Sequence, residues 1–338
     1  MHPKLVVCLT LAVASAWAAH AQSPTRTFTV ENDLFAGTDR HYTNGLRYSA
    51  VRADVGETPW WGREIARELG VCGDDTPQGN IAETCFQVDR GFSITHTIYS
   101  PADISIAVPI PGDRPYGGWF HYTTMFDLHN RRRGRHHHFE ADFGVTGDWS
   151  LAEDIQTEWH NRVINVEPPM GWDSNQIDDS LTFLLLYRYR RVLIEKLNAD
   201  EDLRFFDLSP HAVGTFGNVF TYAGAGATAR LGYNIPPEFT DVIEPAAAGS
   251  PGERPWRVFV FAGAEGRFVA RNMFLDGNET NGPSVNKKPF VSDLSAGLAV
   301  GYKRLLVSYR LVRRSREFEG QLEPQDFASI VVTWRPRA

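Results

Sequence analysis

The feature that most constrains this chain is a two-residue alternation that recurs almost from end to end. Near the C-terminus, "DFASIVVTW" sets Ala328, Ile330, Val332 and Trp334 on one face and Ser329, Val331 and Thr333 on the other. In "RLLVSYRLVRR", Leu305, Val307, Tyr309 and Leu311 oppose Ser308 and Arg310. In "VFVFAGAEGRFVAR", Val258, Val260, Ala262, Ala264 and Phe268 oppose Glu265, Arg267 and Arg271. Period two is the repeat of a β-strand, and charges at that period place a wet or polar surface on the inner side.

About twelve such segments occur, an even number as closed outer-membrane barrels prefer. They are 25–33, 43–53, 85–100, 117–129, 136–147, 181–195, 203–217, 219–234, 256–274, 289–303, 304–318 and 326–336. The expected fold is all-β: a transmembrane antiparallel β-barrel of about twelve strands. Trp119, Trp256 and Trp334 fall near strand ends, where an aromatic girdle belongs. The mean hydropathy of -0.31 reads as soluble. That average carries no weight for a barrel, whose alternation hides its membrane band.

The first residues stand apart. Lys4, the apolar run "LVVCLTLAVASAWAA" and the small-residue site Ala19-His20-Ala21 form a signal peptide over 1–21, leaving 22–338 as the barrel domain. Elsewhere no run reaches the length of a membrane helix. The formal charge of -7 becomes -8 when Lys4 leaves with the leader, which gives no sign of nucleic-acid binding. Cys72 and Cys85 remain, and in an oxidising compartment they are expected to close "CGDDTPQGNIAETC" as a disulfide worth roughly 3 kcal/mol.

With the N-terminus periplasmic, odd-numbered connections face outward. These include "AGTDRHY", "PADISIAVPIPGDRPY" and the stretch 148–180. The inner connections include "RRRGR" and the cysteine loop, which a short amphipathic helix, "TPWWGREIARELG", precedes. The third outer connection is exceptional. "SLAEDIQTEWHNRVI" reads as a rim helix, with Ser150 and Glu153 as a capping box and Pro168-Pro169 beyond its end. Ile155, Trp159 and Val163 recur at four-residue spacing, and so do Gln156 and His160 on a neighbouring face.

Topology gathers the polar residues of these outer connections on one rim. Asn32, Asp33 and Thr43 bracket the first connection, Asp113, Arg114 and Tyr116 end the second, and Gln156, His160 and Glu167 belong to the third. Asp33 and Glu167 are hard oxygen ligands, to which Asn32 and Thr43 can add, a set suited to calcium rather than zinc. His160 can serve as a general base and Gln156 can orient its ring or a water. This is an ester-hydrolysis kit without a serine nucleophile. Ordinary solvated loops have the same composition, and "TDRHYTNG" also reads as a plain turn. The triplet His136–His138 is read as structural, because His137 points opposite to its neighbours in a strand.

Five stretches in order carry a resemblance: "ENDLF", "TDRHYTNGLRYS", "DRPYGGW", "FGVTGDWSLAEDIQTEWHNRV" and "GWDSNQ", spread over residues 31–176. Together they resemble the outer-membrane lipid A 3′-O-deacylases. The resemblance implies a twelve-stranded barrel and a calcium-dependent esterase that removes the 3′-linked acyloxyacyl group of lipid A. It implies a site between the barrel wall and a rim helix, near the outer leaflet. His160 matches the water-activating base, Gln156 its companion on the helix, and Asn32-Asp33 the family's Asn-Asp pair. Thr43 matches the threonine that opens the second strand, and Glu167 the downstream acidic ligand, one residue farther from the histidine than in the family. The family's basic cluster in the second outer loop is missing here, leaving Arg114 as the expected substrate contact. The expected partner is lipopolysaccharide in the outer membrane, and a monomer is expected. Two other readings remain open: a non-catalytic porin or structural barrel, and an outer-membrane phospholipase.

Overall fold

The computed structural model describes residues 23–36, 41–52, 65–66, 68–69, 86–130, 134–164, 167–198, 203–236, 255–278 and 282–335. The signal-peptide segment, Cys72 and Cys85 lie outside the described residues. Most of the segment expected as an inner amphipathic helix does too, although Ile65–Leu69 closes a helical turn with a 2.9 Å bond. In that turn Ala66 packs on Val88 and Leu128.

Among the described residues, thirteen strands form one antiparallel sheet. They are β1 (Thr25–Asn32), β2 (His41–Arg52), β3 (Gln87–Ser100), β4 (Gly117–Asn130), β5 (Arg135–Thr146), β6 (Leu181–Arg191), β7 (Ile194–Asn198), β8 (Leu203–Gly217), β9 (Phe220–Tyr233), β10 (Trp256–Asn272), β11 (Phe290–Tyr302), β12 (Leu305–Arg314) and β13 (Gln325–Trp334). Sequence neighbours pair, apart from β6 with β7, and β1 pairs with β13 from Arg26↔Trp334 to Asn32↔Ala328. Direct pairing of β6 with β8 completes the closure. A closed barrel leaves no unpaired edge, which the bilayer core requires.

The expected sixth strand, 181–195, is broken. β6 ends at Arg191 and the short β7 continues along the same partner, from Arg190↔His211 to Ile194↔Leu208. Four residues on one strand thus span three on the other, so the register slips by one. The result is a twelve-stranded barrel with one extra strand collinear with the sixth.

Alternation sorts the side chains as the sequence leads one to expect. Val260, Phe268, Leu305, Tyr309 and Leu311 are exposed on the outer wall, where the lipid lies. Glu265, Arg267 and Asp293 turn into the lumen and pair there. Arg314 grips Asp293 through two 3.0 Å bonds, and Arg230 grips Asp207 at 2.9 and 2.6 Å. His136 and His138 both contact Asp127 at 2.7 Å, while His137 bonds Tyr187 on the opposite face at 3.0 Å. The histidine triplet is therefore split between the two sides of the wall, as expected.

Trp256 and Trp334 are exposed at the inner end, where Trp256 lies 4.7 Å from the Tyr302 ring, and they fit a girdle. Trp119 does not. It is buried in the lumen mouth with Met273 and Phe274 of the short helix Met273–Asp276, and with Ile177, Leu184 and Val219. This apolar plug fills the outer mouth. Below it a cavity of about 200 Å³ is lined by Glu31, Arg47, Thr95 and His121 among others.

Candidate active site

The site is built on the outer side of the wall, and one irregularity puts it there. On β2, Gly45 and Arg47 face the lumen, so simple alternation would send Thr43 inward as well. The pairing of β2 with β3 slips between Tyr42↔Tyr99 and Asn44↔Ile98, leaving Thr43 as an extra residue. This β-bulge reverses the parity of the strand end. Tyr42 now takes the lumen side and donates 2.7 Å to Glu31 Oε2. Gly45 makes room for it, since a Cβ there would meet the Tyr42 hydroxyl at 2.1 Å. Thr43 turns outward, on the same side as Ser100, and donates to its Oγ at 2.9 Å. His41, just before the bulge, has a left-handed φ of 71°.

Asn32 ends β1 with the same outward parity, opposite Asn44. Its Oδ1 accepts the Leu34 N–H at 2.7 Å, and the Asp33 carbonyl accepts that of Ala36 at 2.9 Å. These bonds fold the 3₁₀ turn Leu34–Ala36, whose Phe35 carbonyl accepts the Tyr309 hydroxyl at 3.0 Å. The Asp33 side chain is fully buried beside this turn.

The third outer connection folds down over this wall. Gly118 permits it, because a Cβ at Gly118 would meet Ser150 Oγ at 2.1 Å and Ala152 Cβ at 2.2 Å. Ile98, Tyr116, Ala152 and Trp172 pack together in the joint. His96, on the same outward column as Ile98 and Ser100, lies 3.1 Å from the Ser150 carbonyl through Nε2. The second connection is stitched on as well, with Met170 donating to the Ile104 carbonyl at 2.9 Å and Tyr116 to that of Asn175 at 2.8 Å.

The expected helix over 150–164 is shorter and begins differently. It spans Ala152–Trp159 and continues as a π-helical turn, His160–Ile164. Ser150 does not cap it. Its hydroxyl donates back to the Gly147 carbonyl at 2.6 Å, and Leu151 takes the cap position with a left-handed φ of 59°. The buried face is Ala152, Gln156 and His160, one residue per turn, whereas Ile155 and Trp159 are 40% and 42% exposed. The amphipathic order is inverted: the side against the wall carries Gln156 and His160, and the apolar Ile155 and Trp159 are on the free side.

Gln156 is held at both ends. Trp172 Nε1 donates to its Oε1 at 2.9 Å, and its Nε2 donates to Ser100 Oγ at 3.2 Å. His160, one turn on, has Nδ1 2.9 Å from the Glu167 carbonyl oxygen. A carbonyl only accepts, so Nδ1 donates in this contact, and Nε2 is the nitrogen it leaves over. The Glu167 carboxylate itself is exposed, so this residue fixes the histidine through its main chain.

The structure thus brings Thr43, Gln156 and His160 into one seam between wall and helix, with Asn32 at the end of the adjoining strand and Asp33 just beyond it. It places Arg114 elsewhere. That side chain is 1% exposed, stacks 4.6 Å over the lumen-facing Tyr99 ring and lies 3.7 Å from Glu317. Burial pushes the Arg114 pKa down, opposed by Glu317. The expected substrate contact is therefore an internal strut of the rim. Burial also lifts Tyr116, to about 12, so its phenol stays protonated against Trp172. Sequence reasoning missed Ser100 and Gly118. The available signal was a polar residue and a glycine on columns that alternation assigns to lipid.

Among the described residues, no three His, Cys, Asp or Glu side chains cluster to hold a metal. A cation in the seam would therefore depend on Asp33 together with neutral oxygens such as that of Thr43. Such a hard, oxygen-only set suits calcium.

A family model described as outer membrane protein LpxR matches residues 5–336. Among solved structures, LpxR from Salmonella typhimurium superposes with a TM-score of 0.70 at 20% identity, covering 92% of this chain and 99% of that one. The β domain of the Bordetella autotransporter BrkA shares 10% identity over 94% of this chain and 100% of its own, with a TM-score of 0.43. No curated protein matches the sequence.

Proposed function

Because the chain belongs to the LpxR family of outer membrane proteins, we propose that it is a calcium-dependent esterase that removes the 3′-linked acyloxyacyl group of lipid A in the outer leaflet. The observation that carries this reading is the placement of His160. Its Nδ1 is tied to the Glu167 carbonyl, its Nε2 is left for chemistry, and it sits on the lipid side of the wall. A substrate that never leaves the leaflet can reach that side without entering the lumen.

In this mechanism His160 Nε2 takes a proton from water as the water oxygen attacks the ester carbonyl. The tetrahedral intermediate collapses, the C–O bond to the sugar breaks, and the histidine returns its proton to the departing sugar oxygen. The products are the free acyloxyacyl acid and a sugar hydroxyl. Gln156 keeps the helix in register with the wall. Asp33 and Thr43 would hold the calcium, with the exposed Glu167 carboxylate as a further donor from the loop. A calcium ion held there would supply positive charge to the ester carbonyl oxygen. Leu34, Phe35, Ile155 and Trp159 are exposed apolar groups beside the seam, suited to acyl chains.

The apolar plug at the outer mouth speaks against an open porin, which predicts ion conductance in planar bilayers. The test is mass spectrometry of lipid A from cells producing the wild type or His160→Ala. Loss of the acyl group only with the wild type supports the proposal. Equal loss from both removes His160 from the mechanism, and activity that survives strong calcium chelation removes the metal.

A further inference from the structure

We infer that Ser100 is a positioning residue of this site: it locks the rim helix to the wall and sets the direction in which Thr43 presents its oxygen. The inference rests on the esterase reading and deepens it.

The chain of bonds has one polarity. An indole N–H can only donate, so Trp172 Nε1 fixes Oε1 as the end of the Gln156 amide that faces it. The other end, Nε2, can only donate, and the acceptor in reach is Ser100 Oγ at 3.2 Å. Thr43 donates to that same oxygen at 2.9 Å. Its hydroxyl hydrogen is thereby spent on Ser100, and its lone pairs are left for a cation or for substrate. Ser100 is fully buried, and Trp172 and Gln156 are nearly so, which makes each of these bonds costly to leave unmade.

The same bonds join three separate parts of the chain. Thr43 lies at the bulge of β2, Ser100 at the last position of β3, and Gln156 on the helix that carries His160 one turn later. Ser100 is the point at which base and bulge are held to a common reference. It is not placed as a nucleophile. Its oxygen already accepts two hydrogen bonds, and among the described residues no histidine bonds to it.

The test uses the full-length protein in detergent–lipopolysaccharide micelles with purified lipid A as substrate. Four variants are compared: Ser100→Ala, Trp172→Phe, the double variant and His160→Ala. Heat-modifiable mobility on gels reports the folded barrel for each. Ser100→Ala is expected to lower kcat about 10–100-fold with KM little changed, the usual scale for a residue that orients a reacting group. Trp172→Phe should lower it by a smaller factor. The double variant should match Ser100→Ala alone, because once the acceptor is gone the orientation of the amide no longer matters. A purely structural contribution would instead multiply the two losses, and that result overturns the inference. So does Ser100→Ala with wild-type kcat while His160→Ala is inactive. An acyl group found on Ser100 by protein mass spectrometry overturns it too, by making the residue a nucleophile. If His160→Ala retains full activity, the esterase reading has failed instead.

Discussion

The protein has two buried polar regions, and they are organised by opposite rules. In the lumen, charges are numerous and many are paired with one another: Arg314 with Asp293, Arg230 with Asp207, and two histidines with Asp127. In the seam outside the wall, neutral groups dominate, and each is anchored by one atom while another is left for use. Asn32 is anchored through Oδ1, His160 through Nδ1 and Thr43 through its hydroxyl hydrogen. The lumen spends its charge on holding itself together, as a buried ion pair with both partners present does. The seam makes fewer contacts and, on the proposed reading, leaves His160 Nε2 and the Thr43 oxygen for a lipid ester.

This contrast can be broken by experiment. The largest expected effect is that of His160→Ala, which should lower deacylation about 10²–10⁴-fold, the scale of a lost general base. A folded barrel on heat-modifiability gels would accompany it. In the lumen, Asp207→Ala leaves Arg230 buried without its carboxylate and should destabilise the barrel by ~3–5 kcal/mol. Urea unfolding in micelles would measure this, and activity per folded molecule should hold. Gly118→Val should do the reverse. It pushes Ser150 and Ala152 off the wall and should reduce turnover about 100-fold, the cost of misplacing a reacting group by an ångström, with the barrel intact. The smallest effects come from the histidine triplet. His136→Ala should lower stability by ~1–3 kcal/mol by removing a partner of Asp127. His137→Phe should cost about 1 kcal/mol, since it removes the bond between Nδ1 and the Tyr187 hydroxyl while keeping a ring among Tyr187 and Tyr189.

Much of the barrel was legible in the sequence because alternation is a local signal. Val258 to Phe268 and Leu305 to Leu311 fall on the faces their parity assigns. The break at Val192-Leu193 was not legible, since a one-residue slip leaves both flanking segments looking like one strand. Within the site, His160 and Gln156 were identifiable by their spacing on a helix. The correct face of that helix was not, because Ile155 and Trp159 look like the packed side, yet the wall meets Ala152, Gln156 and His160. Thr43 was identifiable as an oxygen donor beside the first outer connection, but the bulge that turns it outward depends on pairing with β3. Arg114 illustrates the opposite failure: a lone arginine on a rim looks like an anion contact, yet an aromatic ring and Glu317 claim it inside. Ser100 follows "TIY" and precedes a proline, and only the closed wall reveals that a hydroxyl there faces a second hydroxyl and an amide.

The sharpest single measurement is lipid A mass spectrometry from cells producing either Gly118→Val or His136→Ala, at matched amounts of folded barrel. If the seam carries the function, His136→Ala cells will show the acyl loss seen with the wild type, and Gly118→Val cells will show intact lipid A. Intact lipid A with the lumen variant and acyl loss with the seam variant would contradict it.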